Sequence, residues 1–397
     1  MVAPVRFSVV FTLGVRVPGT NEAMTGPTDR LSLASHADAG PPEYHFETAD
    51  GLDSPDQFRD AELALLEALS ERTVGNLLVV QANYGVVGVV LAAFADGVRM
   101  TETSARATRF CRRNVALNDA TAEVSLVDSP AALGETFETA CYAPAGYTPI
   151  PVGKQRLVDA LPVLDPGGRL FVAGETTTGL DRYERCLTEH CPRVEAVHER
   201  GDLRVVAATR PDEFDPPRYV TPRTIEVSVA GVDLSLVTVP GLFSPGELDH
   251  GTRHLIETAT VEDGEDVLDL ACGYGPVGTW AASVADVDVT LADDDVRATA
   301  CAEGSLDATG VAGTVVTADG TRGIDRRFDR ILCNPPTHAG SGVLTDLFAG
   351  AADVLRSGGE MAVVHHETLN LDEYLRQVGE VRARHRGEEH TVVVVEK

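Results

Sequence analysis

The feature that most limits what this chain can fold into is that it repeats itself. Asn76-Leu-Leu-Val-Val-Gln-Ala-Asn-Tyr-Gly-Val-Val-Gly88 lies against Asp266-Val-Leu-Asp-Leu-Ala-Cys-Gly-Tyr-Gly-Pro-Val-Gly278 at an offset of 190 residues. Two more anchors fall at an offset of 191: Glu102 with Arg106-Ala107 against Asp293 with Arg297-Ala298, and Asp165-Pro-Gly-Gly168 against Arg356-Ser-Gly-Gly359. Three anchors at nearly one spacing mean a tandem duplication, and 397 residues at roughly 150 per domain give two domains of ordinary size. The expected division is a flexible tail over residues 1–43, a first unit over 44–212, a joint over 213–222 and a second unit over 223–397. The joint follows the Pro- and acid-rich run Asp212-Glu-Phe-Asp-Pro-Pro217.

Within the second unit, short apolar runs alternate with helical stretches. Strands are expected over residues 266–270, 287–292, 313–317, 328–333 and 360–364, with helices over 276–284, 296–306 and 344–355. Alternating β and α predicts an α/β fold with a parallel, doubly wound, Rossmann-like sheet in each unit. In such sheets ligands sit outside the carboxyl ends of the strands, so chemistry is sought there.

Composition narrows the setting. The formal charge is −28, from 61 acids against 33 bases, and Lys occurs only at Lys154 and Lys397. An acidic, Lys-poor surface suits a salt-loaded cytoplasm, because at about 1 M salt the Debye length falls to about 3 Å and self-repulsion is screened. The seven cysteines form no C-x-x-C pair, which points to neither a disulfide framework nor a zinc site. No run approaches the ~18 apolar residues needed to cross a bilayer. The short apolar stretch at residues 7–15 lacks a small-residue cleavage site behind it. Met24 opens a polar beginning, so residues 1–23 read as an upstream extension of the frame or a loose tail. The composition therefore predicts a cytoplasmic protein without membrane or metal, and leaves its oligomeric state open.

The chemistry-bearing residues gather at predicted strand ends. Gly273-Tyr-Gly275-Pro-Val-Gly278 is G-x-G-x-x-G between a strand and a helix, a spacing that can hold a dinucleotide pyrophosphate or serve merely as a tight turn. Its neighbours decide. Asp269 ends the strand before it, Asp293 ends the next strand where a ribose diol would lie, and Asp319 ends the third. The fourth strand runs into Asn334-Pro335-Pro336-Thr337-His338. Proline fixes φ and removes a donor, so Asn-Pro-Pro makes a stiff turn that aims the Asn amide and preceding carbonyls, able to accept two hydrogen bonds from an exocyclic amine.

With these motifs in view, residues 223–397 resemble class I S-adenosylmethionine-dependent methyltransferases, specifically the guanine-N2 methyltransferases of small-subunit ribosomal RNA and their single-domain archaeal relatives. The resemblance rests on Pro240-Gly-Leu-Phe243-Ser244 with Leu248-Asp249-His-Gly251-Thr252, on Val267-Leu-Asp269-Leu-Ala-Cys-Gly273-Tyr-Gly275, on Asn334-Pro-Pro336 with Ala339-Gly340, and on Ser357-Gly358-Gly359. It implies that Asp269, Gly273 and Gly275 hold the methionine end of S-adenosylmethionine, Asp293 the ribose and Asp319 the adenine. It also implies that Asn334, Pro335 and Pro336 form the catalytic turn, with Phe243, Thr337 and His338 beside the substrate. Two departures stand out: Ala271 replaces the first loop glycine, and Thr337 replaces the bulky residue on which a base would stack.

The first unit resembles the non-catalytic copy of two-unit members. Val79 stands at the position of Asp269, Asn83 at that of Gly273, and Tyr142-Ala-Pro144 at that of Asn334-Pro-Pro336. Glu102 and Asp128 then read as ordinary strand-end acids. Arg322, Arg326, Arg327 and Arg330 read as a solvated face at the amino end of the sheet, and Arg376, Arg382, Arg384, His385 and Arg386 as the better phosphate-binding group. His365-His366 read as a structural pair. The expected reaction is methyl transfer to guanine N2 of 16S ribosomal RNA, free or in the small-subunit particle. The alternatives are a protein glutamine or adenine-N6 acceptor, or a nucleotide-binding scaffold without catalysis.

Overall fold

A computed structural model describes residues 7–10, 29–37 and 39–397. The chain divides into two compact units, the first ending at Val220 and the second running Thr221–Lys397. The segment after Asp212 is fastened to the first unit. Phe214 packs on the His190 ring at 5.6 Å between centroids, and the Tyr219 amide donates to Gln155 Oε1 at 2.7 Å.

Residues 1–43 are not wholly a tail. Asp29–Ser35 is a strand, antiparallel to Glu43–Thr48 on one side and to Phe7–Val10 on the other. Its register sets Arg30 opposite Glu47, which it meets at 3.2 Å, and Ser32 opposite His45, which it meets at 2.9 Å. Such directly opposed pairs stabilise a ladder, and Leu33 is fully buried beneath them. The expected tail boundary therefore falls inside a sheet, to which residues 7–10 of the short apolar stretch contribute a strand; residues 11–15 and Met24 lie outside the described residues.

Each unit is built on a seven-stranded sheet of the same strand order. In the second, the order is Thr314–Thr317, Asp288–Asp293, Asp266–Leu270, Phe328–Cys333, Leu355–His366, His390–Glu396, Glu380–Arg386. The first five are parallel, but the last two join antiparallel, so the sheet is mixed rather than wholly parallel. The cause is connection length: only a tight turn separates Arg386 from His390, and a tight turn can join strands only antiparallel.

The chain leaves the central strand Asp266–Leu270 toward one flank and returns on the other at Phe328–Cys333, which makes the gap between these two carboxyl ends the topological switch point. Val267, Leu268, Leu270, Ile331, Leu332 and Cys333 are buried almost completely around it. At ~1.5–3 kcal/mol for each fully buried large aliphatic side chain, this belt is what fixes the positions of the strand ends. The helix expected over 276–284 is observed as Pro276–Val284. The helix from residue 296 extends three residues further, to Thr309, where Gly310 at φ +81° closes it.

An unexpected hairpin, Arg223–Val229 with Val232–Thr238, opens the unit. Ala230 and Gly231 both take positive φ, 47° and 83°, as a two-residue type I′ turn requires.

Candidate functional site

The site is assembled from four strand ends of the second unit. After Leu270 the backbone turns through Ala271 at φ +61°, Gly273 at +56° and Gly275 at +84° before entering the Pro276–Val284 helix. The glycines differ in purpose. A Cβ on Gly275 would lie 2.9 Å from Leu291 Cδ2 and 3.0 Å from Ala302 Cβ, and one on Gly278 would lie 2.5 Å from Leu291 Cγ. These two let the loop pack on its own core, so Gly275, expected in the cofactor site, is explained by packing. A Cβ on Gly273 would meet nothing within 4 Å. Gly273 therefore presents bare backbone to open space, as a loop that receives a ligand must.

Asp269 is only 1% exposed, and its Oδ2 accepts from the Gly278 amide at 2.7 Å. It braces the first turn of the helix from below. Desolvation pushes its carboxyl up to about 7; the Gly278 hydrogen bond opposes this and the nearby Asp293 charge adds to it. Asp293 reaches across from the next strand end: Oδ2 accepts from Gly273 N at 2.9 Å and Oδ1 from Asp295 N at 3.0 Å. Desolvation raises its carboxyl to about 6, against these amide hydrogen bonds. The Asp294 amide donates to it as well, so three amides hold this carboxylate. Asp319, at the third strand end, lies 3.5 Å from Arg322 Nε. Arg322 thus stands at the carboxyl end of the sheet, not with the basic group at the amino end where the sequence put it.

Arg326 and Arg330 of that group are balanced by local acids, although the Arg330 side chain is only 11% exposed rather than solvated. Arg326 pairs with Asp266 and Asp288, and Arg330 with Glu265 and Glu360. In the other basic group, Arg382 pairs with Glu380 and Glu396 and Arg384 with Asp372, so much of its charge is already balanced.

At the fourth strand end, the Thr337 amide donates to Pro335 O at 2.8 Å and the Ala339 amide to Pro336 O at 3.0 Å, closing the Asn-Pro-Pro turn tightly. Asn334 Nδ2 donates to Thr252 Oγ1 at 2.9 Å and to Asp249 Oδ2 at 3.2 Å. These partners begin the His250–Thr258 helix, where Asp249 is the N-cap and accepts from the Thr252 amide at 2.8 Å. Sequence reading gave neither a role of its own. The signal was present: Asp249-x-x-Thr252 ahead of a helix is a capping pattern, but what else it touches is a tertiary fact.

Phe243 is 61% exposed on the loop before that helix, and His338 is exposed beside the turn. The loop is tied to the glycine turn by Tyr274, whose hydroxyl donates to Glu247 O at 3.2 Å. His365 Nδ1 bonds to His366 O and His366 Nδ1 to Thr368 Oγ1, local bonds that leave His365 Nε2 buried without a hydrogen-bond partner.

In the first unit the same positions are plugged by the chain itself. Asn83, at φ +55°, bonds through its side chain to both the amide and the carbonyl of Asp53, at 3.2 and 2.8 Å. Arg59 lies between Asp53 at 2.8 Å and Glu62 at 2.7 Å and donates to Ala143 O at 3.0 Å. Glu102 is buried against the Asn83 and Thr103 amides, its carboxyl raised by desolvation to about 7.

The model of the methyltransferase small domain matches residues 43–207 and again 233–394, one match per unit. The ribosomal RNA small subunit methyltransferase C of Escherichia coli O17:K52:H18 is 31% identical over 246 residues, 58% of this chain and 70% of that protein. The protein of the same name from Klebsiella pneumoniae is 29% identical over 276 residues, 65% of this chain and 78% of that one. Among solved structures, a 16S rRNA guanine-N2 methyltransferase of T. thermophilus, in complex with AdoMet and guanosine, superposes with a TM-score of 0.73 at 22% identity, over 89% of this chain and 95% of that one. With both halves of its repeat matched, this chain belongs to the methyltransferase small domain family.

Proposed function

We propose that this chain transfers a methyl group from S-adenosylmethionine to N2 of a guanine in 16S ribosomal RNA, acting in the cytoplasm on the RNA or the small-subunit particle. The observation that carries the proposal is Asn334, held at the switch point one strand from the open face of Gly273. Two curated relatives named as small-subunit rRNA methyltransferases, and a T. thermophilus neighbour in complex with AdoMet and guanosine, support the substrate class.

The donor set fits the cofactor. Gly273 offers an unobstructed backbone edge for the methionine end, with Asp269 and Gly275 shaping the turn beneath it. The acceptor capacity that Asp293 keeps beside its amide partners suits a ribose hydroxyl, and Asp319 suits an adenine amino group. When bound, S-adenosylmethionine supplies a sulfonium methyl that is already a strong electrophile. The chain's own part is positional. Asn334 Oδ1 and the carbonyl of Pro335 accept from the target amine and turn its nitrogen toward the methyl. Pro335 and Pro336 keep that turn from relaxing, while Phe243, Thr337 and His338 flank the base. The amine proton leaves to water once the new N–C bond forms. The −28 charge is read as adaptation to a salt-loaded cytoplasm.

The test is transfer of label from S-adenosylmethionine to small-subunit RNA, followed by mass mapping of the modified nucleoside. Asn334→Ala should keep cofactor affinity and lose about 100-fold or more in turnover. Label on adenine N6 or on a protein glutamine would move the acceptor, and binding without transfer would leave a scaffold.

A further inference from the structure

We infer that Asp249 and Thr252 are positioning residues that set which end of the Asn334 carboxamide faces the acceptor; the inference rests on the proposed role of Asn334. An Asn side chain carries a donor on one side and an acceptor on the other, and the two differ little in shape. Nothing in the Asn-Pro-Pro turn itself chooses between them. The choice comes from the opposite wall: Asp249 Oδ2 at 3.2 Å and Thr252 Oγ1 at 2.9 Å. A carboxylate oxygen can only accept. The Thr252 hydroxyl gives its proton to the same carboxylate at 3.2 Å, so its lone pairs are what remain for Asn334. Two acceptors select Nδ2, and Oδ1 is thereby turned away from them, free to accept from an amine. Thr252 is 5% exposed, so little water competes for these bonds.

The duplicated unit supplies an internal comparison. At the offset of 190, Arg59 stands for Asp249 and Glu62 for Thr252, while the Asn334 position is Tyr142 at 192. Arg59 Nη1 donates to Ala143 O, so the start of this helix faces the strand-end turn there too, with the polarity reversed. Where the amide is gone, the acceptor at the cap position is replaced by a donor, and the acceptor that remains, Glu62, is taken up by Arg59 at 2.7 Å. Helix capping accounts for the Asp249 carboxylate, which accepts from the Thr252 amide, but not for the Thr252 hydroxyl; the Asp60–Leu69 helix is capped instead by Glu62, which accepts from the Arg59 amide.

The experiment uses the full chain with small-subunit RNA as methyl acceptor. Thr252→Val removes the hydroxyl at nearly constant volume and should lower kcat about tenfold, while the cofactor Kd and thermal midpoint stay near wild type. Thr252→Ser should restore most of the loss. Asp249→Asn keeps a cap for the helix but offers a mixed donor and acceptor, and should lower kcat further, toward about 100-fold. Wild-type kcat in Thr252→Val and Asp249→Asn, with Asn334→Ala inactive, would overturn the positioning role alone. Equal loss in the Val and Ser variants would overturn it as well, since the hydroxyl would then not matter. Full activity in Asn334→Ala would instead overturn the proposed function on which it rests. If Asp249→Asn does not fold, the Thr252 pair decides.

Discussion

Replacing Gly273 by Ala separates the ligand-facing part of the glycine loop from its structural part. At φ +56° an Ala carries the strain of the left-handed region, about 1–2 kcal/mol. The repeat shows that this backbone accepts a side chain, because Asn83 holds the matching turn at φ +55°. The new methyl would meet nothing of the protein within 4 Å, so no packing cost is added. A shift of about 1–2 kcal/mol in a domain of this size lowers the thermal midpoint by about 2–8 °C. The same methyl would occupy the face left open for the cofactor, and a loss of about 2 kcal/mol there weakens binding about 30-fold. Gly278→Ala should behave in the opposite way: its Cβ would lie 2.5 Å from Leu291 Cγ, and overpacking of that kind costs about 1–3 kcal/mol or more in folding. Calorimetric titration with S-adenosylmethionine and scanning calorimetry on the full chain read both effects. Wild-type cofactor affinity in Gly273→Ala, or wild-type stability in Gly278→Ala, would refute the division of labour.

Three further outcomes are expected. The full chain should bind one S-adenosylmethionine, because the Asn83 side chain and the Arg59 network fill the first unit's site; a calorimetric stoichiometry of two would contradict this. The unfolding midpoint should rise between about 0.1 and 2 M KCl as the −28 charge is screened, and a flat response would sink the salt-adaptation reading. Burial raises the Asp269 carboxyl from the ordinary 3.8 to about 7, so the stability its protonated form contributes is present below about pH 4 and lost as pH rises toward 7. Asp269→Asn keeps an acceptor for Gly278 and should flatten that decline in midpoint across pH 4 to 7; an unchanged slope would show that another group is responsible.

Much of this was legible in the chain. The duplication, the α/β alternation and the strand ends carrying Asp269, Asp293, Asp319 and Asn334 follow from local pattern, because a buried parallel strand writes itself as an apolar run bounded by turn residues. The hairpin at residues 223–238 was missed although its alternation and Ala-Gly turn were there to be read, and the strand at residues 29–35 because its apolar face is only a few residues long. The antiparallel edge depended on how short the turn before His390 is, which an apolar run does not state.

The sequence by itself determined which residues stand at which strand end, since a strand's apolar run fixes its place in the core and therefore where its last residue emerges. Tertiary structure alone decided what those residues face. Gly273 and Gly275 are the same letter in one motif, yet only one looks onto open space, because Leu291 and Ala302 arrive from other elements to fill the other. Asp249 lies 85 residues from Asn334. No local pattern encodes a contact made across that distance, and the polarity of a carboxamide is chosen only by what the fold brings against it.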